Sequence, residues 1–195
     1  MSETEVENRK LSRREMVAKL LAGVAAGAAW PLIASAHPIH AHLKDGALLD
    51  RADVVQKAAG WKPLFLTVEQ NETLTALSES IVPGSTKAQV NRFIDLLLSV
   101  DSKENQQKFV ASFTAIETEG QKRFGRTFPT LTVREQEMLL TSISKEEVHH
   151  EHFDNLKEWI SGAYYSSEEG MRELGWDGNY AFAHFPGCTH ADESH

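Results

Sequence analysis

A stripe of apolar residues at helical spacing most constrains the fold of this chain. Between residues 90 and 98, apolar side chains recur every three or four residues, so they share one face of an α-helix. Weaker stripes predict four further helices, and no segment alternates as a strand does. The pattern predicts an all-α fold, a small helical bundle of about five helices in residues 64–165. The strongest stripe consists of Val90, Phe93, Ile94, Leu97 and Leu98, and the weaker ones cover roughly residues 66–82, 101–125, 132–143 and 145–164.

Capping signals predict where these helices begin and end. In a capping box, a Thr before the helix accepts from the amide three residues later, and the Gln or Glu at that position accepts from the amide of the Thr. Pro83-Gly84 is expected to end the first helix. On the fourth helix, Met138, Leu139 and Ile143 are expected to face the core. The capping pairs are Thr67 with Gln70, Thr86 with Gln89, and Thr132 with Glu135.

The first 36 residues have the order of a twin-arginine export signal. Arg13 and Arg14 precede an apolar run over residues 17–33 that holds one charge, and Ala34 and Ala36 form the expected cleavage site. The alternative is a retained membrane anchor, but residues 20–33 are shorter than the ~20 that span a bilayer. We therefore expect the twin-arginine translocase to export the folded body to the periplasm.

The composition of the remaining body excludes several classes of function. Removal of the leader takes away five of 20 Lys and Arg and four of 28 Asp and Glu, which leaves a net charge of −9. Such an acidic body is not expected to bind nucleic acid or anionic lipid. A single cysteine cannot hold an iron–sulfur cluster alone, and no dinucleotide-binding fingerprint is present. The export route is typical of cofactor proteins, so we expect the cofactor to lie on a partner rather than on this chain.

Two groups of histidines suggest a metal site as an alternative function. Residues three apart on a helix share a face, which would pair Glu147 with His150 and His149 with His152. The two pairs point in different directions, so neither face gathers a full set of ligands, and a solvated surface is the simpler interpretation. The groups are His37, His40 and His42 near the expected new N-terminus, and His149, His150 and His152 with Glu147 and Glu151.

The segments on both sides of the bundle differ from it. Residues 37–63 have weak periodicity and are predicted to be a tether. Residues 166–195 are predicted to be an extended tail, because glycines and aromatic residues are frequent from residue 162 onward without a helical period. These rings must pack on the bundle or on another protein. They are Tyr164, Tyr165, Trp176, Tyr180, Phe182 and Phe185.

Several short motifs occur in order along the chain. They are Phe65-Leu66-Thr67-Val68-Glu69-Gln70, Ile81-Val82-Pro83-Gly84, Val90-Asn91-Arg92-Phe93-Ile94-Asp95, Leu131-Thr132 with Glu135-Gln136, Tyr164-Tyr165 with Leu174-Gly175-Trp176-Asp177-Gly178, and Gly187-Cys188. Taken together, they resemble the gluconate 2-dehydrogenase subunit 3 family, and the resemblance covers roughly residues 64–188. The loop after Pro83 departs from the family pattern, because it lacks a second Pro-Gly-Ala turn.

The resemblance implies a non-catalytic small subunit. In such complexes a large flavoprotein of the glucose–methanol–choline class, with FAD, oxidises a sugar or sugar acid, and a cytochrome c often takes the electrons. The small subunit supplies the export signal and supports folding of the flavoprotein. An unpaired cysteine in an oxidising compartment suggests an intermolecular bond or a free thiol. With the resemblance, we expect the tail to lie along the large subunit and Cys188 to bond to it, the alternative being a buried free cysteine.

Overall fold

A computed structural model of the chain describes residues 38–146 and 149–175. These residues form seven α-helices and two short 3₁₀ segments and contain no strand. The all-α prediction is confirmed, with more helices than the five expected. The predicted export signal, residues 1–36, lies outside the described residues. The helices are α1 Gly46–Lys57, α2 Val68–Ile81, α3 Val90–Val100, α4 Lys103–Phe124, α5 Val133–Ile143, α6 His150–Tyr165 and α7 Glu168–Glu173, and the 3₁₀ segments are His42–Lys44 and Phe128–Thr130.

Helix α3 lies at the centre of the fold. Its residues from Phe93 to Leu98 are all buried, and it packs against α1, α2 and α6. A helix that is apolar around most of its circumference has to be enclosed by other elements. The antiparallel neighbours α4 and α6 complete the core, where the ring of Trp159 meets Phe109 edge-on with centroids 5.6 Å apart. The predicted stripe is therefore core.

Two of the three predicted capping boxes are present. The Thr67 hydroxyl accepts from the Gln70 amide, and the Gln70 side chain accepts from the Thr67 amide. Thr132 and Glu135 form the same arrangement at α5. The pair of Thr86 and Gln89 was wrongly predicted, because α3 begins only at Val90. Gln89 has a left-handed backbone with φ of 53°, and the Thr86 amide donates to the carboxylate of Glu79 instead.

The predicted tether of residues 37–63 needs correction. Residues 46–57 form α1, whose first turn is capped by the Asp45 carboxylate. Leu48, Leu49 and Ala52 are buried in the common core. The periodicity was too weak to detect because α1 buries only this narrow strip, while Val54 on the same helix stays 68% exposed.

The predicted tail also begins later than residue 166. The hydroxyl of Ser167 caps α7, and Met171 is buried. A Cβ atom on Gly170 would collide with the backbone carbonyl of Tyr164, so α7 lies directly against the end of α6. Residues 166–175 thus belong to the folded body, and residues 176–195 lie outside the described part.

Helices α5 and α6 differ from their predicted outlines. Leu139 and Ile143 are buried as expected, but Met138 is 55% exposed and does not face the core. Helix α6 begins at His150 rather than near residue 145, and its expected core residues Leu156, Ile160 and Ala163 are buried. Over residues 38–146 and 149–175, no helix combines the length and the apolar character that crossing a membrane requires.

Candidate functional site

The carboxylate of Asp95 fastens the segment before α2 to the central helix. Asp95 is fully buried, and its two oxygens accept hydrogen bonds from the backbone amides of Leu64, Phe65 and Leu66 at 2.6, 3.0 and 2.8 Å. Charge-assisted bonds of this kind satisfy a carboxylate that burial would otherwise destabilise. The path of the chain from α1 to α2 is therefore set by one side chain of α3.

Arg92, three residues earlier on α3, holds the end of α1. Its guanidinium donates to the carbonyls of Val55, Gln56 and Ala58 at 3.1 to 3.2 Å and lies 5.1 Å from the ring centre of Trp61. A cation at a helix C-terminus binds carbonyls that have no intrahelical donor. Arg92 and Asp95 together attach the N-terminal side of the described body to the core.

Tyr164 lies in the core rather than at a free surface. It is 5% exposed, and its ring covers Gly84, whose φ of 92° and closeness to the ring leave no room for a side chain. Burial, and then a hydrogen bond with the carboxylate of Glu173, raise the pKa of Tyr164 to about 12. The side chain joins the turn after α2 to α6 and α7. This burial leaves almost none of Tyr164 for the partner contact that was predicted.

Tyr165 and the end of α7 present the exposed apolar surface nearest to the tail. Tyr165 is 39% exposed and stands edge-on to Tyr164, and Leu174 is 65% exposed. The described chain ends one residue later. The other predicted partner-binding residues lie outside the described part: Trp176, Tyr180, Phe182, Phe185 and Cys188.

The histidines proposed as metal ligands do not form one group. His152 lies 3.2 Å from the hydroxyl of Ser112, in a buried network with Asn155, and Ser112 is only 1% exposed. The side chain of His150 is exposed at the start of α6. In the other group, His42 pairs with Asp101 at 3.2 Å. His37 and Glu147 lie outside the described residues.

His149 instead joins two carboxylates that the sequence did not connect. Possible ligand atoms of Glu119, Glu146 and His149 lie within 4.8 Å of one another. Arg123 already donates to Glu119 at 2.9 Å and to Glu146 at 2.6 Å, and its hydrogen bonds lower the pKa of both carboxyl groups. A metal would have to compete with this guanidinium, so the arrangement is an ion-pair cluster joining α4 to the segment between α5 and α6.

An open groove runs between α2 and α5. It has a volume of about 600 Å³, and its walls are the exposed face of α2 from Asn71 to Ser80 and the first turn of α5. A hydrogen bond of 3.0 Å between Ser80 and Gln136 joins the two helices at its base. Val133, which is 71% exposed, stands at its edge. We call this feature the α2–α5 groove.

Comparison with known protein families assigns the chain to one of them. The family described as gluconate 2-dehydrogenase subunit 3 matches residues 68–187. The chain belongs to this family. No curated protein and no solved structure matches it.

The family match begins at the first residue of α2 and continues past the end of the described residues. It includes α3 with Arg92 and Asp95, the groove, and Tyr164. Membership of the gluconate 2-dehydrogenase subunit 3 family makes this chain a subunit of a dehydrogenase complex. The roles of Arg92 and Asp95 were not predicted from the sequence. Two charged residues within so apolar a helix as α3 could have indicated that they have buried partners.

Proposed function

We propose that this chain is a non-catalytic small subunit that escorts, exports and stabilises a flavin-dependent sugar or sugar-acid dehydrogenase. The observation that carries the proposal is the family match over residues 68–187. The order of charged, apolar and small residues in residues 1–36, which is typical of a twin-arginine leader, supports the export part of it. The large subunit supplies FAD and the catalytic site. In complexes of this type, a cytochrome c subunit often takes the electrons. Export delivers the assembly to the periplasm.

The attachment of the N-terminal side of the body supports the escort role. The twin-arginine route moves folded proteins, so a leader can carry a partner only if the body that follows it is folded and firmly held. Arg92 binds the end of α1, and Asp95 binds the segment after it. The leader is thus followed by a segment fastened to the core, to which a partner can be bound during passage.

The tail and Cys188 belong to the same proposal. The segment after Leu174 carries four rings and one cysteine within residues 176–188. We assign it to the surface of the large subunit, where Trp, Tyr and Phe are favoured contact residues. Cys188 forms a disulfide there, since this chain has no second cysteine to pair with.

Replacement of the arginine pair tests the export role. With Arg13→Lys and Arg14→Lys together, we expect this chain and the flavoprotein both to stay in the cytoplasm. Cell fractionation, with dehydrogenase activity and flavin absorbance measured in each fraction, gives the result. The single conservative change Lys10→Arg in the same leader is the control. Wild-type periplasmic activity in the double variant would overturn the escort role.

A free-standing periplasmic metal-binding protein is the competing function. The proximity of Glu119, Glu146 and His149 is the observation in its favour, and the guanidinium of Arg123 between the carboxylates opposes it. Purification of the untagged chain from its native host separates the two functions. A larger yellow flavoprotein travels with the chain under our proposal, whereas a lone chain with bound copper or zinc would favour the alternative.

A further inference from the structure

Three carboxylates and several apolar groups line the α2–α5 groove. Glu72, Glu79 and Glu137 contribute the negative charges, and no Lys, Arg or His is among its lining residues. The carboxylate of Glu79 is held by the amides of Gly84 and Thr86. Among the described residues, neither Glu72 nor Glu137 has an ion-pair partner. The groove therefore combines uncompensated negative charge with aliphatic surface from the exposed Pro83 and Val133 and the half-buried Ala76.

We propose that the α2–α5 groove is the docking site for a segment of the dehydrogenase subunit that carries Lys or Arg beside an aliphatic side chain. This inference rests on the proposed function and specifies which surface binds the partner. From Asn71 to Ser80 the α2 wall rises nine residues, about 14 Å. That length accommodates about two and a half turns of a helix or about four residues of extended chain. A basic group would pair with Glu72 or Glu137, and an aliphatic one would cover Val133.

Charge favours a segment of the dehydrogenase subunit over two other possible occupants of the groove, the tail of this chain and a second copy of it. The tail of this chain starts nearby, because Glu173 and Gly84 both contact Tyr164 and Pro83 lines the groove. Residues 176–195, however, contain three acidic residues and no Lys or Arg. A second copy of the chain would bring a net charge of −8. Both would meet the carboxylates with like charge, which opposes association.

Binding kinetics of groove variants test the assignment. The flavoprotein that co-purifies with the wild-type chain is dissociated with reductant, immobilised, and exposed to full-length variants under the same reducing conditions, so that the proposed Cys188 disulfide does not contribute. Glu72→Lys with Glu137→Lys is expected to slow association by about tenfold at low salt, and less at high salt. Val133→Ser is expected to shorten the lifetime of the complex by about tenfold. The matched control, Asp154→Lys with Glu158→Lys on the exposed face of α6, makes the same change in net charge.

A cross-link identifies the occupant without altering the charges. A photoreactive residue in place of Val133, which is 71% exposed, is expected to react with a peptide of the flavoprotein that contains Lys or Arg next to an aliphatic residue. Reaction with residues 176–195, or with a second copy of this chain, would overturn the assignment. This measurement also decides the case if a kinetic variant fails to fold.

The outcomes separate this inference from the function on which it rests. If no flavoprotein co-purifies with the wild-type chain, the proposed function and the docking site fail together. If the flavoprotein binds and the groove variants behave like the α6 control, only the docking site is wrong. Slower association confined to the groove variants, with the expected cross-link, supports both.

Discussion

Single polar side chains of α3 join distant parts of this chain. Asp95 accepts from backbone amides 29 to 31 positions earlier, and Arg92 donates to carbonyls 34 to 37 positions earlier. A buried carboxylate is tolerated in a core only when hydrogen bonds replace its lost hydration. At this position the bonds also determine how the chain enters α2. The residue is therefore both a source of stability and the constraint that orients the N-terminal side of the body.

Replacement of Asp95 tests this role. Asp95→Ala leaves the amides of Leu64, Phe65 and Leu66 without their acceptor, and we expect a loss of about 3 kcal/mol in the free energy of unfolding. Urea unfolding of the full chain, followed by circular dichroism, measures the loss. Asp154→Ala, at an exposed position of α6, serves as the control. A midpoint equal to that of the control would contradict the role of Asp95.

The ion-pair cluster around Arg123 predicts how stability depends on pH. Hydrogen bonds from Arg123 lower the pKa of Glu119 and Glu146 below the usual value of 4.5. The unfolded chain then binds more protons than the folded one in acid, so this contribution is complete above about pH 4.5 and is lost as pH falls through the folded pKa values. In Arg123→Gln the acid loss should be shallower. Unfolding curves at pH 7, 5, 4 and 3 measure it, and parallel profiles for both proteins would contradict the prediction.

At the scale of elements, the local sequence signals predict some helices better than others. Helices α2 and α5 begin at the capping boxes that their sequences predict, and α3 follows the strongest apolar stripe. Helix α1 has a good cap in Asp45 but a narrow buried strip, so its apolar pattern is weak. Helix α7 has six residues and is stable only through its contact with α6. Short or sparsely buried helices depend on tertiary packing that periodicity does not report.

Two glycines of the helical body should respond oppositely to alanine. At Gly170 an added Cβ would overlap the backbone of Tyr164 and Tyr165, so we expect Gly170→Ala to detach α7 and to cost about 1–3 kcal/mol. At Gly120 it would meet Leu139 at 3.4 Å, an ordinary contact inside a regular helix, and Gly120→Ala should stabilise the chain by about 0.5–1 kcal/mol. Thermal melts and amide exchange in α7 measure both. Unchanged protection of α7 in Gly170→Ala would contradict the predicted packing.

At the scale of the whole molecule, the folded body and its terminal segments have different tasks in the proposed function. The leader directs export, the helical body presents the α2–α5 groove, and the tail adds aromatic contacts and one cysteine. A covalent bond at the end of such a tail would slow dissociation more than it would change the first encounter. The lifetime of the complex, rather than its rate of formation, should therefore depend on Cys188.

Electrophoresis of the native complex tests the disulfide. After alkylation, we expect one band near the summed mass without reductant and two bands with it. Cys188→Ser should leave export intact but let the subunits separate on dilution. The control is Thr189→Ser, which changes the residue beside Cys188 but keeps the thiol. Ser35→Cys would not serve, because residue 35 lies in the expected leader. Two bands without reductant would show that the bond is absent and favour a free cysteine.

The starts of α2 and α5 and the position of α3 followed from sequence because their causes are local. A capping box joins residues three apart, and an apolar stripe joins residues three or four apart, so both are visible in a short window of residues. The family motifs were likewise readable as ordered short segments, and the match over residues 68–187 confirmed the family that they indicated. The predicted fold class depended on nothing more distant than this.

Tertiary structure decided what depends on contacts between distant residues. Asp95 reaches amides about 30 positions away, and Arg123 binds Glu146 across 23 positions, so neither partnership leaves a periodic trace. Tyr164 was assigned to partner contact from sequence, and its packing on Gly84 and its 5% exposure place it in the core of the described body. The α2–α5 groove exists only because two capped helices meet at Ser80 and Gln136. Each of these features depends on which distant segments of the chain pack together, and burial and long-range hydrogen bonds determine that packing.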